Sequence, residues 1–201
     1  MRVSQNKVTF GLEKVHIAFL DDTSPTQPAW ENPIPILGAV RWTPTPVGES
    51  STFYADNTAY FVATSNNGYT GELEVANIPD AVLAEMMGWE IDSNGAIIEV
   101  SDAIPKPFAL LGQVLGDKRN RRFVYYHCTA TRPSKERQTK GESITPATDV
   151  LSITVSPIEI NGRMIVKGDI ELSDTNKDVF DSFFDSVYLP TFGNGEFGGD
   201  E

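Results

Sequence analysis

The sequence predicts a mainly β protein, an antiparallel β-sandwich or barrel with one or two flanking α-helices. Three observations carry this. Several runs alternate apolar and polar residues with a period of two, as in Leu73-Glu74-Val75, which is the signature of a half-buried strand. The runs are joined by tight-turn signals: Asp56-Asn57, Asn67-Gly68, Asn94-Gly95 and Asn161-Gly162. Such pairs favour hairpins because both central residues of the preferred turn need positive φ. Helical spacing occurs in only two places, so the strands follow one another in hairpins and do not alternate with helices.

In order along the chain, Lys14 to Leu20 places Val15, Ile17 and Phe19 on one face of a strand. Asp21 to Pro33 is a polar, Pro-rich loop, and Pro35 to Thr43 a second strand. Residues 43–51 then read as a long turn-rich loop, because Pro44 and Pro46 deny ladder pairing. Thr52 to Val75 reads as strand, turn, strand, turn, strand. Pro79 to Met87 is the first helix: Pro suits its start, Val82, Leu83, Met86 and Met87 share a face, and Gly88 suits a left-handed C-cap. A hairpin through Asp92 to Val100 follows, then strands Phe108 to Leu115 and Phe123 to Thr131 joined by Asp117 to Asn120. Pro133 to Gly141 is a charged loop, and Val150 to Val155 and Met164 to Leu172 are strands around the Asn161-Gly162 turn. Ser173 is placed to cap an amphipathic helix over Asp174 to Val187, with Val179, Phe180, Phe183, Phe184 and Val187 as its apolar face. Residues 1–192 form one domain on this reading, and 193–201 a flexible Gly-rich tail.

The 201 residues carry a net charge of −12. That balance opposes a protein that grips nucleic acid through its phosphates, while leaving room for one that nucleic acid slides past. No apolar run is long enough for a membrane helix. The N-terminus lacks the apolar segment of a signal peptide, so signal-directed export is not expected. The one cysteine, Cys128, lies within an apolar strand and reads as a buried core residue.

No motif carries chemistry, so no catalytic, cofactor-binding or metal-ligating residue is assigned and an enzyme is not expected. Gly193-x-Gly195-x-x-Gly198 matches a dinucleotide fingerprint by letter, but no helix can follow it before the chain ends. Asp174-x-Asn176-x-Asp178 resembles a calcium loop, yet Val179 stands where the sharp turn wants glycine. His16 and His127, the only histidines, have no neighbour at metal-ligand spacing. Lys118-Arg119-Asn120-Arg121-Arg122 is the densest basic cluster. On an acidic chain it reads as a solvated turn or as a contact with the acidic surface of another copy.

Several segments together resemble the major tail protein family of long, non-contractile-tailed phages (siphophages). They are Lys7 to Val15, Gly38-Ala39-Val40, Phe53-Tyr54-Ala55-Asp56-Asn57, Ser65 to Glu74 with Gly68, Gly71 and Leu73, Ile78-Pro79-Asp80 at a helix start, and Gly112 after Ala109-Leu110-Leu111. The resemblance spans residues 6–192 in order and spacing. It implies a β-sandwich of the phage tail-tube type whose copies form stacked hexameric rings, a hollow tube through which DNA leaves the capsid. It implies as partners the chain itself, other tail proteins (tape measure, terminator and distal tail), and genomic DNA passing the lumen without specific binding. It places the protein in the virion tail, and in the host cytoplasm during assembly. Loops bridge rings in such tubes, so Pro44, Pro46 and Val47 on the 43–51 loop, with Arg119, Arg121 and Arg122, are the expected subunit-interface residues, and 133–141 a second bridging loop. The competing reading is a β-sandwich binding module such as a capsid decoration protein, with Trp30, Trp42 or Trp89 clustered at its surface.

Overall fold

The computed structural model describes residues 6–24, 27–135, 139 and 147–192. The Gly193–Gly198 motif, and residues 136–138, 140 and 141 of the expected second bridging loop, lie outside them.

The structure is mainly β and antiparallel, with two short helices. The alternation around Val15, Ile17 and Phe19 belongs to a long first strand, β1 (Thr9–Asp21). β1 pairs along its length with β10 (Phe108–Gly116), and β10 with β11 (Arg121–Ala130). These central strands are buried on both faces. Phe108, Leu110, Phe123 and Tyr125 enter one apolar cluster, while Ala109, Leu111, Val124 and Tyr126 enter a second on the opposite side. Near-continuous apolar runs such as Phe108-Ala109-Leu110-Leu111 are what two-sided burial requires.

A β-bulge reorganises β11. Cys128 lies opposite Phe108, but Tyr125 lies opposite Leu110, so β11 carries one extra residue there. The bulge returns Cys128 to the inner cluster and leaves His127 half-exposed. Beyond it β11 changes partner. Its first half pairs with β15 (Lys167–Glu171) and its second half with β12 (Asp149–Val155). β12 pairs with β7 (Tyr69–Val75), and β7 with β4 (Ala39–Pro46).

Pro35 to Thr43, expected as one strand, is broken in two. β3 (Ile34–Ile36) pairs with β1, and β4 pairs with β7. Between them Gly38 adopts φ +78°, and a Cβ there would sit 2.6 Å from the Ala76 Cβ. One run of chain thus bridges the two ends of the strand order and rolls the sheet back on itself. The inner cluster fills the roll, closed by helix α1 (Asp80–Met87), whose Leu83, Met86 and Met87 are fully buried. Gly88 ends that helix in the left-handed conformation, as expected, while Pro79 takes the N-cap position rather than the first helical one.

The outer cluster is covered by the C-terminal segment. The helix expected over Asp174 to Val187 is shorter: α2 (Lys177–Asp181) runs into a 3-10 turn at Ser182–Phe184. Asn176, not Ser173, precedes it. The Asn176 side chain accepts from the Ser173 amide at 2.8 Å and donates to the Glu171 carbonyl at 2.8 Å, holding residues 173–176 in a turn. Phe180, Phe183 and Val187 are buried as expected, whereas Val179 is exposed. The remaining strands form small hairpins: β5 (Ser50–Ala55) with β6 (Thr58–Thr64), β8 (Glu90–Ile91) with β9 (Ile97–Ile98), and β13 (Ile158–Ile160) with β14 (Arg163–Ile165). β2 (Ala29–Trp30) pairs with the end of β1 inside the expected 21–33 loop.

The hinge at Gly38 yields a paired test. Gly95 has a similar φ of +83° but open space around it. Gly95→Ala carries only the conformational cost, whereas Gly38→Ala adds a clash. Urea unfolding should show Gly38→Ala less stable than Gly95→Ala by about 1–2 kcal/mol, and equal losses would refute the close-packed hinge.

Candidate self-association surface

Of residues 43–51, expected as a loop, only Val47, Gly48 and Glu49 lie outside a strand. β4 continues through Pro44, opposite Gly71, and Pro46, opposite Tyr69. Proline is tolerated because β4 is the edge of the sheet and the two prolines alternate, so both nitrogens face away from β7. They also deny that edge to an added strand. Pro44 is half-buried, and Pro46 and Val47 are exposed.

The Asn67-Gly68 turn does not reverse the chain either. The ladder of β4 and β7 continues outward: the Asn67 amide donates to the Val47 carbonyl at 2.8 Å, and the Ser65 amide to the Glu49 carbonyl at 2.9 Å. β5 and β6 then pair to the tip, where Asp56 and Asn57 hold φ of 51° and 62°. The stretch is therefore one long two-stranded ribbon, its inner half in the sheet and its outer half free. Gly48 marks the junction, since a Cβ there would lie 2.1 Å from the Ser65 carbonyl oxygen. Seven residues of β6 at about 3.3 Å each carry the tip on the order of 20 Å beyond the sheet edge.

This arm buries almost nothing. Phe53 is 62% exposed, Tyr54 67%, Tyr60 73% and Phe61 61%, with Val62 also open. Phe53 lies directly opposite Phe61 and Thr52 opposite Val62, so apolar groups occupy both faces. A lone two-stranded hairpin is marginal in water, and a contiguous exposed apolar patch marks a contact surface. Both outer edges of the arm are unpaired among the described residues and carry no proline. Sequence reading marked these strands and the turn between them but not their projection from the sheet. The available signal was apolar residues on both faces of a strand whose neighbours could not cover them.

The arginine cluster divides. Arg122 is buried: its guanidinium donates to Gln113 Oε1 at 2.7 Å and to the Phe180 carbonyl, and lies 4.0 Å from the Phe180 ring centre and 4.7 Å from that of Phe184. It anchors the C-terminal segment and is not available to another subunit. Burial lowers its pKa, while Asp181, Asp185 and Glu13 act in the opposite direction. Arg121 is exposed and paired with Glu171 at 2.8 Å. Arg119 is half-buried in a turn pinned by Asn6, whose side chain accepts from the Arg119 amide at 2.9 Å and donates to its carbonyl at 2.8 Å. The charge along the chain is uneven, with no lysine or arginine between Arg41 and Lys106. The arm lies in that stretch.

The three tryptophans do not share a surface. Trp42 packs edge-on to Tyr125 and, like Trp89, borders the inner cluster; Trp30 borders the outer one. The Cys128 thiol is fully buried, and burial pushes its pKa up. Among the described residues no three His, Cys, Asp or Glu side chains gather into a metal-ligand cluster, and no helix is long and apolar enough to cross a membrane.

Two outcomes test this geometry. Arg122→Met should cost about 3 kcal/mol in urea unfolding, because it orphans buried acceptors under the C-terminal segment, whereas Arg121→Ala should cost less than about 1 kcal/mol. His16 stacks on Phe184 at 4.6 Å, and both histidines are held below the ordinary value of 6.5, chiefly by burial. The unfolded chain therefore binds more protons, and stability present above that value is lost as pH falls below it. Unfolding midpoints should drop between about pH 7.5 and pH 5.5, and a His16→Gln/His127→Gln variant should flatten the drop.

No family model and no curated protein matches this chain. Among solved structures, a chain from a cryo-EM structure of the anti-feeding prophage baseplate aligns at 11% identity over 84% of this chain and 97% of its own, with a TM-score of 0.43. A type six secretion system protein aligns at 12% identity over 80% of this chain and 95% of its own, with a TM-score of 0.34. Likeness this distant leaves what the chain does to be read from its own geometry.

Proposed function

We propose that this chain is a structural subunit that assembles with copies of itself, and specifically a phage tail-tube protein whose rings stack into a conduit for DNA. The observation that carries the reading is the arm over Ser50–Thr64, which presents Phe53, Tyr54, Tyr60, Phe61 and Val62 to solvent. Its unfavourable exposure in one copy is relieved when a second copy covers it. The resemblance of residues 6–192 to siphophage major tail proteins supplies the kind of assembly. The tail proteins that cap and fill such a tube are the other partners, and the virion tail is the location. The net charge of −12 suits a bore along which DNA moves without sticking.

The arm replaces the 43–51 loop as the element that reaches other subunits, with Pro46 and Val47 at its base. Arg119 and Arg121 remain contact candidates, and Arg122 does not. The dispersed packing of Trp30, Trp42 and Trp89 gives no support to the binding-module reading.

Among the described residues the arm's strands pair only with each other, so removing it should spare the fold. Deleting Ser50–Thr64 and joining Glu49 to Ser65, already hydrogen-bonded across the base, should leave unfolding stability within about 1 kcal/mol of wild type. Negative-stain images of concentrated wild-type protein should show rings or tubes, and those of the deletion only single particles. Tubes of normal length from the deletion would refute the arm as the assembly element. Arg119→Glu/Arg121→Glu should fold normally and assemble less; unimpaired assembly would remove both from the interface.

A further inference from the structure

An open cavity of about 550 Å³ lies between the β14–β15 segment and the C-terminal stretch. Its walls include Tyr69, Met164, Ile165 and Tyr188, with Arg163 and Lys167. The Tyr126 side chain also lines it. Tyr126 is 1% exposed, and its hydroxyl has no hydrogen-bond partner among the described residues. Nothing in the reading of the arm uses this cavity.

Three observations indicate what fills it. Asn66, which immediately follows the base of the arm, is itself in the cavity wall. The tip of the same arm stands on the order of 20 Å from that base, so an arm reaches another copy's cavity and not its own. The chemistry is also complementary. Between Ser50 and Thr64 the only charged residue is Asp56, at the tip beside Asn57, and the rest is aromatic, apolar or hydroxylic. The cavity offers aromatic and aliphatic walls with two cationic side chains, Lys167, paired with Asp169 at 3.0 Å, and Arg163, which lies over the Phe192 ring at 4.1 Å. Finally, every copy carries both a cavity and an arm whose tip stands on the order of 20 Å away from it. That is a head-to-tail arrangement, which closes into a ring or propagates.

We propose that this cavity is the receptor for the arm of a neighbouring copy, taking its aromatic side chains against Tyr69, Met164 and Tyr188 with Asp56 near Arg163 and Lys167. The proposal rests on the self-assembly reading and names the surface that completes it.

Site-specific cross-linking of the full chain tests it. Cys128 is buried, so it does not compete with introduced thiols. Tyr60 and Met164 are exposed, so Tyr60→Cys and Met164→Cys should fold as wild type, checked by circular dichroism; Phe53→Cys replaces Tyr60→Cys should the latter block assembly. The two single variants are mixed, assembled and oxidised. A covalent dimer on non-reducing gels should appear in the mixture on the order of ten-fold above either variant alone, because assembly holds the thiols at high effective concentration. Normal assembly of the mixture with no such dimer from either arm position overturns the cavity as receptor and leaves self-assembly standing. Wild-type protein that stays monomeric by sedimentation at every concentration overturns both.

Discussion

Everything in this molecule is organised around β10 and β11 being buried on both faces. Phe108, Leu110, Phe123 and Tyr125 need one apolar layer, and Ala109, Leu111, Val124 and Tyr126 need another. A single sheet satisfies half of that demand by rolling, and the roll is possible because Gly38 lets one run of chain serve β1 and then β7. The other half is met by the C-terminal segment, which lays Phe183 and Val187 over the outer face. Arg122 joins the two solutions, reaching from β11 to the Phe180 carbonyl while its guanidinium lies over the Phe180 and Phe184 rings. Burying a guanidinium is tolerable only where its donors are met, and this one has acceptors on both sides.

The same economy explains what is left outside. The core is complete without β5 and β6, and their side chains add nothing to it. A chain selected only to be a stable monomer gains by blunting such a ribbon with charge or proline. Here proline guards the sheet edge at Pro44 and Pro46, just before the ribbon leaves, and is absent from the ribbon itself. Protection stops where exposure of aromatic residues begins, a pattern that fits a surface kept sticky for a partner. With the cavity beside its base, the subunit carries two complementary halves of one contact.

The elements legible in the sequence were those dictated by local chemistry. Period-two alternation located β1 and β7; the runs at Phe108, Phe123 and Val150 marked β10, β11 and β12; positive-φ residues located the turns at Asp56-Asn57 and Asn161-Gly162; and Gly88 ended the first helix. These follow from sterics and side-chain periodicity, which act within a few residues. Partner choice was not legible. Pro44 and Pro46 look like loop residues until β4 is known to be an edge, and Asn67-Gly68 looks like a chain reversal until β4 and β7 are seen to continue outward as one ribbon. Arg119, Arg121 and Arg122 are equivalent as letters, and only the packing of the C-terminal segment makes Arg122 a buried anchor while Arg121 stays exposed and Arg119 half-buried. The cavity, assembled from β7, β11, β14, β15 and the C-terminal stretch, has no local signature, because its walls meet only when the sheet has rolled.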